Sequence, residues 1–486
     1  MRFSILHISD LHRDLKDEIP NKWLLDSLSR DFEQFDKQDP KILKPSICIV
    51  SGDLVYGIAP YLENADKELK HQYSQVEEFL VELSDRFFCG NRECVVILPG
   101  NHDVCFNDLM MSLQKIEIPD ESEKKKQLVT ELFKPNSKIR WSWSDLCFFK
   151  IIDNTKYNER FHYFATMYEH FYQNRRKFPL AADEQLQVFD FPHFSFCIVT
   201  LNSCHNNDPF HTAGAFHPNA LTNACREIQK TERLGWIAAA AWHHNIVGGA
   251  MKNDYMDPEF IQPLIDAGVS LGFHGHQNIS DCFDERYRLG PNSRKMTIIS
   301  ASTLCDDPKN LVPGVPRSYN IIEIDTKDWS GRLHQRQMVN YQFNMPTWGP
   351  GHFILTNSSF FDFKICPPLK TRPVQLDLQL ALERADKCIG SQQWLEALAV
   401  LETIKEDPIA RTLLVRALEE LGDRRRTIAT LWPPLTNREA VTLGGAVLEC
   451  GSQKEAADFI QLNFVSSSKD ASVREILKRV GERCQK

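Results

Sequence analysis

The sequence lacks the features that place a chain in a membrane or outside the cell. It contains no apolar run of about 18 residues, the length that a membrane-spanning helix needs. Its first residues, MRFSILHISD, do not follow the basic, apolar and small-residue order of a signal peptide. No CxxC motif occurs, and the fourteen cysteines are scattered along the chain. These absences predict a cytoplasmic protein with reduced thiols, without a disulfide framework, a zinc knuckle or a membrane partner.

An excess of positive charge is also missing. The net charge of −8 argues against a protein that binds polyanions over its whole surface, although a local basic groove is still compatible with it. The length of 486 residues predicts two to four domains, and the hydrophobic fraction of 42% is enough to bury a core.

Polar clusters follow short apolar runs in the first hundred residues. Each run is short enough to be a buried strand. A single cluster of this kind is also typical of turn chemistry or helix capping. The recurrence favours a cation site or proton chemistry at strand ends. Three predicted strands have such a cluster: Met1–Ser9 before Asp10 and His12, Ser46–Val50 before Gly52 and Asp53, and Cys94–Leu98 before Gly100, Asn101, His102 and Asp103.

Helical spacing separates these strands, at Trp23–Phe35 and at Gln72–Leu83. Alternating strands and helices predict the α/β class, in which ligands collect beyond the carboxyl ends of the strands. The pattern resumes in the second half of the chain, with histidines at two further strand ends. The strands predicted there are Phe194–Leu201, Trp236–Ala241 before His243 and His244, Val269–Phe273 before His274 and His276, Met296–Ser300, Ser318–Asp325 and Leu333–Val339.

The ordered set of motifs resembles the calcineurin-like metallophosphoesterase superfamily over about residues 1 to 340. The motifs are Asp10-x-His12, Gly52-Asp53, Gly100-Asn101-His102-Asp103, His243-His244 and Gly275-His276. The resemblance implies two packed sheets flanked by helices, an α/β/β/α sandwich, with a two-metal site at the strand ends.

The resemblance also implies a role for each matching residue. One metal takes Asp10, His12 and a bridging Asp53. The second metal takes Asp53, Asn101, His243 and His276. His102 acts on the leaving oxygen and Asp103 orients its ring, while the two metals hold a bridging hydroxide as nucleophile. Mixed oxygen and imidazole ligands suit manganese, with iron or zinc as alternatives.

Two positions depart from the family pattern. Asn278 stands where the family has a second histidine, and we treat it as a candidate ligand of the first metal. A shifted register would make His274 the candidate instead. The His-x-Pro pattern of the family points to His243 as the ligand, but Asn245 stands at the proline position, so His244 stays open as an alternative.

The residues after Asp53 bear on the substrate. Leu54-Val55-Tyr56 replaces the Asp-Arg-Gly of the family's protein phosphatases, whose arginine grips a phosphomonoester. The resemblance therefore favours a phosphodiesterase or nuclease that acts on nucleic acid or a nucleotide. A phosphomonoesterase, or a weakened phosphoesterase that serves as a partner-binding scaffold, are the alternatives.

The sequence predicts three segments along the chain. Residues 1–345 form the phosphoesterase domain, with a helical insertion or cap at 104–190. A proline- and glycine-rich linker follows at 346–373. Residues 374–486 form an all-α domain of helical hairpins, in which Gly390, Gly422 and Gly451 recur after 32 and 29 residues. This spacing is typical of tetratricopeptide-like repeats, with a small helical bundle as the alternative, and it predicts binding to a partner protein or self-association.

Overall fold

A computed structural model gives the fold of the chain from Met1 to Cys484. It leaves outside its description residues 15–18, 59–62, 133–136, 249–253, 288–293, 307–310, 312, 341–344, 354–355, 369–373, 406 and 485–486. The described strands are β1 (Arg2–Ile8), β2 (Ile47–Ser51), β3 (Val95–Leu98), β4 (Leu113–Ile116), β5 (Ile139–Ser142), β6 (Cys147–Ile151), β7 (Leu186–Phe191), β8 (Phe196–Leu201), β9 (Ile237–Ala241), β10 (Val269–His274), β11 (Asp281–Tyr287), β12 (Arg294–Ser300), β13 (Ser318–Asp325), β14 (Ser330–Met338), β15 (Trp348–Pro350) and β16 (Phe360–Lys364).

Helices alternate with these strands, and every described element after β16 is a helix. The described helices are α1 (Asn21–Phe32), α2 (Ala65–Phe87), α3 (Phe106–Met111), α4 (Ser122–Leu132), α5 (Asn154–Glu159), α6 (His162–Phe171), α7 (Pro218–Ile228), α8 (Gln262–Ala267), α9 (Val374–Gly390), α10 (Trp394–Glu402), α11 (Pro408–Leu421), α12 (Arg424–Leu431), α13 (Asn437–Cys450), α14 (Gln453–Gln461), α15 (Asn463–Ser466) and α16 (Ala471–Cys484). Among the described residues, no helix has the length and apolar character needed to cross a membrane.

Two large sheets organise the first part of the chain. The first has the order β15-β14-β13-β1-β2-β3, with β16 also paired to β14, and β1, β2 and β3 run parallel. The second has the order β11-β12-β10-β9-β8-β7, with β8, β9, β10 and β12 parallel. Parallel strands are buried on both faces and therefore need nearly continuous apolar sequence. The runs ICIV in β2 and VVIL in β3 meet that need.

The two sheets pack face to face. Alternate residues of the second sheet, such as Ile198 and Leu271, join the core that it shares with the first sheet. The intervening residues of the same strands, such as Val199 in β8, point to the opposite face of the sheet and pack under α7 and α8. Phe3 of β1 meets Phe196 of β8 with ring centroids 5.1 Å apart. The α/β/β/α sandwich expected from the family resemblance is thus the observed architecture.

The insertion at 104–190 contains helices, and it also contains a three-stranded antiparallel sheet in the order β4-β6-β5 that the sequence did not predict. The predicted linker contributes β15 and β16 to the edge of the first sheet, where Trp348 is buried and its Nε1 donates to Ser27 Oγ at 2.8 Å. Parts of the predicted boundary and linker, at 341–344, 354–355 and 369–373, lie outside the described residues.

The chain divides into two compact units, 1–371 and 372–486. The second unit is all-helical, as predicted. Gly390 is the last residue of α9, and Gly422 follows α11 in the left-handed conformation at φ +72°, which glycine adopts at low cost. Three successive arginines at the start of α12 each pair with a glutamate of another helix: Arg424 with Glu449, Arg425 with Glu455, and Arg426 with Glu402.

Candidate metal centre

The predicted site residues meet at one edge of the sandwich. Asp10 and His12 follow β1, Asp53 follows β2, and Asn101 follows β3. His243 and His276, which follow β9 and β10 of the second sheet, reach the same place. The carboxyl ends of the parallel strands of both sheets point to this edge, and for that reason residues far apart in sequence become neighbours.

The backbone at this edge is held in an unusual conformation. Left-handed φ values are uncommon for residues other than glycine and cost about 1–3 kcal/mol each, and such residues cluster at functional sites. The site residues with positive φ are Asp10 (52°), His12 (43°), Asp53 (51°), His276 (72°) and Asn278 (55°).

Two glycines allow the loops to approach closely. A Cβ on Gly100 would lie 2.2 Å from Asp53 Oδ1, and a Cβ on Gly275 would lie 1.8 Å from Ser9 Oγ and 2.6 Å from Asp10 Oδ2. Either contact would push a carboxylate of the site out of place. The glycines of these motifs are therefore explained by space for the neighbouring aspartates.

One half of the site surrounds His12. Its Nε2 lies 3.7 Å from Asp10 Oδ1 and 3.8 Å from Asp53 Oδ2. The backbone holds the two loops together, since His12 N donates to Asp53 O at 3.0 Å and Asp10 N donates to Gly52 O at 3.1 Å. All three side chains are buried, so they are positioned before any ligand arrives.

The other half surrounds His243. Its Nδ1 donates to the Ser51 carbonyl at 2.8 Å. This bond leaves Nε2 facing Asp53 Oδ2 at 3.1 Å and Asn101 Oδ1 at 3.0 Å. Neither oxygen can donate a hydrogen bond when Asp53 is ionised, so Nε2 needs a proton or a cation between it and these oxygens. A backbone carbonyl that fixes the tautomer is a common arrangement for a metal-binding histidine.

The side chains fit two metal ions that share one carboxylate. The potential ligand atoms of His12, Asp53 and His102 lie within 4.8 Å of one another, and so do those of Asp53, His243 and His276. Asp10 lies outside the first of these groups, and its contact with that group is to His12 Nε2. Among the described residues, buried His276 Nε2 and Asn278 Oδ1 have no hydrogen-bond partner. Buried polar atoms without partners are rare, and such an atom is available to bind a ligand. Nε2 of the alternative His274 is buried without a partner as well.

The buried carboxylates of the site stabilise positive charge on the groups around them. Burial alone would lower the pKa of His243, but the charge of Asp53 raises it to about 9. Burial opposes this effect at His12 as well, where the nearby carboxylates of Asp10 and Asp53 raise the pKa to about 9. Burial would raise the pKa of Asp53, but the charges of His243 and His102 hold it well below its ordinary value. Protons on the imidazoles can supply this charge, and so can divalent cations.

The structure distinguishes between the adjacent histidines. His244 turns away from Asp53, with Nδ1 2.9 Å from Ser203 Oγ and Nε2 3.2 Å from Asn207 Nδ2. Burial lowers the pKa of His244 well below its ordinary value, in keeping with a neutral interior group. Of the two, His243 faces the carboxylates. The alternative His274 stacks on Trp242 with centroids 6.0 Å apart.

The structure places Asp103 differently from the prediction. The His102 ring is held by the Tyr56 carbonyl, which accepts from Nδ1 at 2.7 Å. The Asp103 carboxylate points elsewhere and accepts from the backbone N–H groups of Leu54 and Gly100. Asp103 therefore braces the loops after β2 and β3 and does not orient the His102 ring. Burial, with the charge of Asp53, raises the pKa of Asp103 to about 7.

A cleft of about 480 Å³ opens beside the site. Its described lining contains neither lysine nor arginine, and Tyr56 is 45% exposed in it. The apolar lining residues are Tyr56, Ile58, Val104, Phe106 and Pro209, and the polar ones are Asn101, His102, Asn207, Asp208, Thr212, Asp254 and His276.

The insertion builds part of this cleft. Arg140 of β5 is buried, and its Nε donates to Asp208 Oδ2 at 2.6 Å. Buried Arg160 donates from Nη2 to the carbonyls of Cys204 and His205 at 2.9 and 2.7 Å. Both arginines thus hold the loop after β8 that forms one wall. The aromatic residues Phe164, Tyr168 and Phe171 of α6 are buried and belong to the core.

A sequence profile of the calcineurin-like phosphoesterase family matches residues 3–279. The match covers more than half of the chain, and the chain belongs to this family, whose members use two divalent metal ions. The protein is accordingly a metal-dependent phosphoesterase. A search of curated proteins finds no match.

Several solved structures match at low identity. GAP50, the anchor in the inner membrane complex of Plasmodium, is 11% identical with a TM-score of 0.34, over 76% of this chain and 90% of its own. A dimetal phosphatase from Danio rerio is 11% identical with a TM-score of 0.35, over 69% and 96%. Vps29 from Entamoeba histolytica is 9% identical with a TM-score of 0.25, over 74% and 100%. Similarity at this level identifies no substrate.

Proposed function

We propose that the protein is a dinuclear-metal-dependent phosphodiesterase that hydrolyses nucleic acid or nucleotide diesters. The observation that carries the proposal is the pair of ligand groups sharing Asp53, placed beside a cleft with an aromatic and apolar wall. Manganese is the metal we favour, with iron or zinc as alternatives, because the donors mix carboxylate, amide and imidazole.

The roles of the chain's own residues follow from their positions. Asp10, His12 and Asp53 would hold the first metal, with Asn278 as a further candidate. Asp53, Asn101, His243 and His276 would hold the second. Two such ions supply Lewis acidity toward the phosphoryl oxygens and a nucleophile at neutral pH. His102, fixed through Nδ1 by the Tyr56 carbonyl, keeps Nε2 for the substrate. When both of its ring nitrogens carry a proton, it would give the proton on Nε2 to the leaving oxygen.

The cleft favours a diester over a monoester. A phosphomonoester carries an additional negative charge, which phosphatases commonly meet with the bidentate fork of an arginine. The described lining offers no arginine or lysine, and Tyr56 and Phe106 offer rings on which a base can stack. A diester, with one charge and an organic group on each side, fits this lining better.

We expect the manganese-loaded chain to hydrolyse bis-p-nitrophenyl phosphate with a kcat/KM at least about 10-fold above that for p-nitrophenyl phosphate, a difference of about 1.4 kcal/mol in the barrier. The same preparation should be assayed on single-stranded DNA, duplex DNA, RNA and cyclic nucleotides. Faster hydrolysis of the monoester would contradict the diesterase proposal and favour a phosphomonoesterase. No hydrolysis of either ester by metal-loaded protein would favour a scaffold.

Tyr56 should contribute to binding of the base and not to the chemical step. Stacking of a base on an aromatic side chain is worth about 1–3 kcal/mol, so Tyr56→Ala should raise KM for a dinucleotide about 5- to 150-fold. The kcat should change little, because the main-chain carbonyl that holds His102 remains. Tyr56→Phe is the matched control and should behave like the wild type. A fall in kcat with unchanged KM would contradict the stacking role.

The C-terminal unit has no part in the proposed ligand set. Its neighbouring helices pack on one another, α9 on α10, α10 on α11 and α12 on α13, around a separate core. We propose that this unit binds a partner protein or a second copy of the chain, in the manner predicted from the glycine spacing.

A further inference from the structure

The segment after β12 runs along the loop that carries Asp10 and His12. Thr303 Oγ1 donates to Asp10 O at 2.6 Å, and Leu304 N donates to Ser9 O at 3.2 Å. Cys305 Sγ donates to Leu11 O at 3.1 Å. Three successive residues of this segment are thus tied to the loop. The next residue, Asp306, is carried to the edge of the candidate metal centre.

Asp306 is 2% exposed, and its Oδ2 lies 3.8 Å from His12 Nε2. The same nitrogen lies 3.7 Å from Asp10 Oδ1 and 3.8 Å from Asp53 Oδ2. These separations are longer than hydrogen bonds, which span about 2.7–3.2 Å. Two donor atoms that share one ion, each about 2.0–2.2 Å from it, lie up to about 4.4 Å apart. Asp306 therefore lies at about the same distance from His12 Nε2 as the two carboxylates implied by the family resemblance. Like Asp10, it lies outside the group formed by His12, Asp53 and His102.

The backbone of Asp306 is fixed as firmly as that of a ligand. Asp306 N donates to Thr303 Oγ1 at 2.9 Å, and its carbonyl accepts from Arg317 Nε at 2.7 Å. Ser302 Oγ of the same segment donates to the carbonyl of Asn278 at 2.8 Å. The segment thus contacts both the Asp10 loop and the residue that replaces a family histidine.

We propose that Asp306 is a further ligand of the first metal, and that its carboxylate compensates for the imidazole that Asn278 lacks. This inference rests on the proposed two-metal function and adds to it a ligand from an element outside the family motifs. An amide oxygen is a neutral donor and weaker than imidazole for a borderline ion. A carboxylate restores donor strength at this position and adds a negative charge, which a neutral imidazole would not supply.

Metal binding to the full-length protein tests the inference without reference to turnover. Equilibrium dialysis against Mn²⁺, followed by elemental analysis, should show two ions per chain in the wild type. In Asp306→Asn one of the two should bind at least about 10-fold more weakly, since even outer-shell changes cost about 10- to 100-fold. Adding Asn278→His to Asp306→Asn should restore much of that affinity, because imidazole replaces the lost donor.

A spectroscopic variant tests contact with the metal directly. Asp306→Cys loaded with Co²⁺ should show a thiolate-to-cobalt charge-transfer band in the near ultraviolet, which the cobalt-loaded wild type lacks. Cys305→Ser is the matched control, because it alters the same segment without removing a carboxylate, and it should keep wild-type manganese affinity.

The outcomes separate this inference from the proposed function. Wild-type manganese affinity in Asp306→Asn, or no new band in cobalt-loaded Asp306→Cys, would overturn the assignment of Asp306 while leaving the two-metal centre in place. Fewer than two ions bound by the wild type would contradict the proposed function itself. Weak binding in Cys305→Ser equal to that in Asp306→Asn would show that the segment acts through its shape, and would also overturn the assignment.

Discussion

Replacing Asp53 by asparagine should abolish hydrolysis and reduce the bound metal. Asp53 Oδ2 faces both halves of the site, at 3.8 Å from His12 Nε2 and 3.1 Å from His243 Nε2. Its Oδ1 accepts from His102 N at 2.8 Å, which holds the carboxylate in place. An amide keeps the size of the side chain and loses its charge. Loss of one preorganised electrostatic contact costs about 10²–10³ in rate, and loss of a shared ligand should cost at least that.

The measurement combines rate on bis-p-nitrophenyl phosphate with manganese content of the same samples. Asp257→Asn is a suitable control, because Asp257 is an exposed cap that accepts from Glu259 N at 2.9 Å and asparagine can replace it there. The control should match the wild type in both quantities. An Asp53→Asn variant with full activity and two metals per chain would exclude Asp53 as the shared ligand.

Replacing His102 by alanine should leave two metals bound and lower the turnover of poor leaving groups by roughly 10²–10⁴-fold, the range for a general acid. The ring lies beside the site and in the cleft lining, and its Nδ1 is already bonded to the Tyr56 carbonyl. The side chain thus has one nitrogen left for the substrate. The loss should shrink for p-nitrophenolate, which leaves without a proton.

The test compares a dinucleotide with bis-p-nitrophenyl phosphate, each at saturating manganese, and records metal content in parallel. Equal losses on both substrates would argue against proton transfer to the leaving group. A fall to one metal per chain would instead make His102 a ligand, an outcome that its place within 4.8 Å of His12 and Asp53 allows for.

Strand ends were the most predictable part of this molecule. Every strand predicted from an apolar run appears within a few residues, because a strand buried on both faces needs uninterrupted apolar sequence. The polar residue after such a run then has its place fixed by the sheet. Asp10, Asp53, Asn101, His243 and His276 converge for this reason, although up to 266 residues separate them, as in the contact of Asp10 with His276 N.

Features that depend on tertiary contact were not predictable in the same way. His244 is turned away from the carboxylates by its contact with Ser203, a residue 41 positions away in the sequence, and local sequence does not reveal that contact. The family resemblance implied that Asp103 orients the His102 ring, but adjacent residues on a turn point in different directions. Asp306 lies six residues beyond the end of β12, too far for a strand-end motif to mark it. The short edge strands β15 and β16 are buried through their contacts with β14 and α1, and their own sequences show little of the hydrophobic pattern of a strand.

The most direct test of the two-metal diesterase is a manganese titration of the metal-free chain, with bound metal and hydrolysis of bis-p-nitrophenyl phosphate measured in the same samples. The rate should stay low at one ion per chain and rise as the second ion binds, and a chelator should reverse the rise. Full turnover at one ion per chain, or turnover that survives removal of all metal, would contradict the two-metal diesterase.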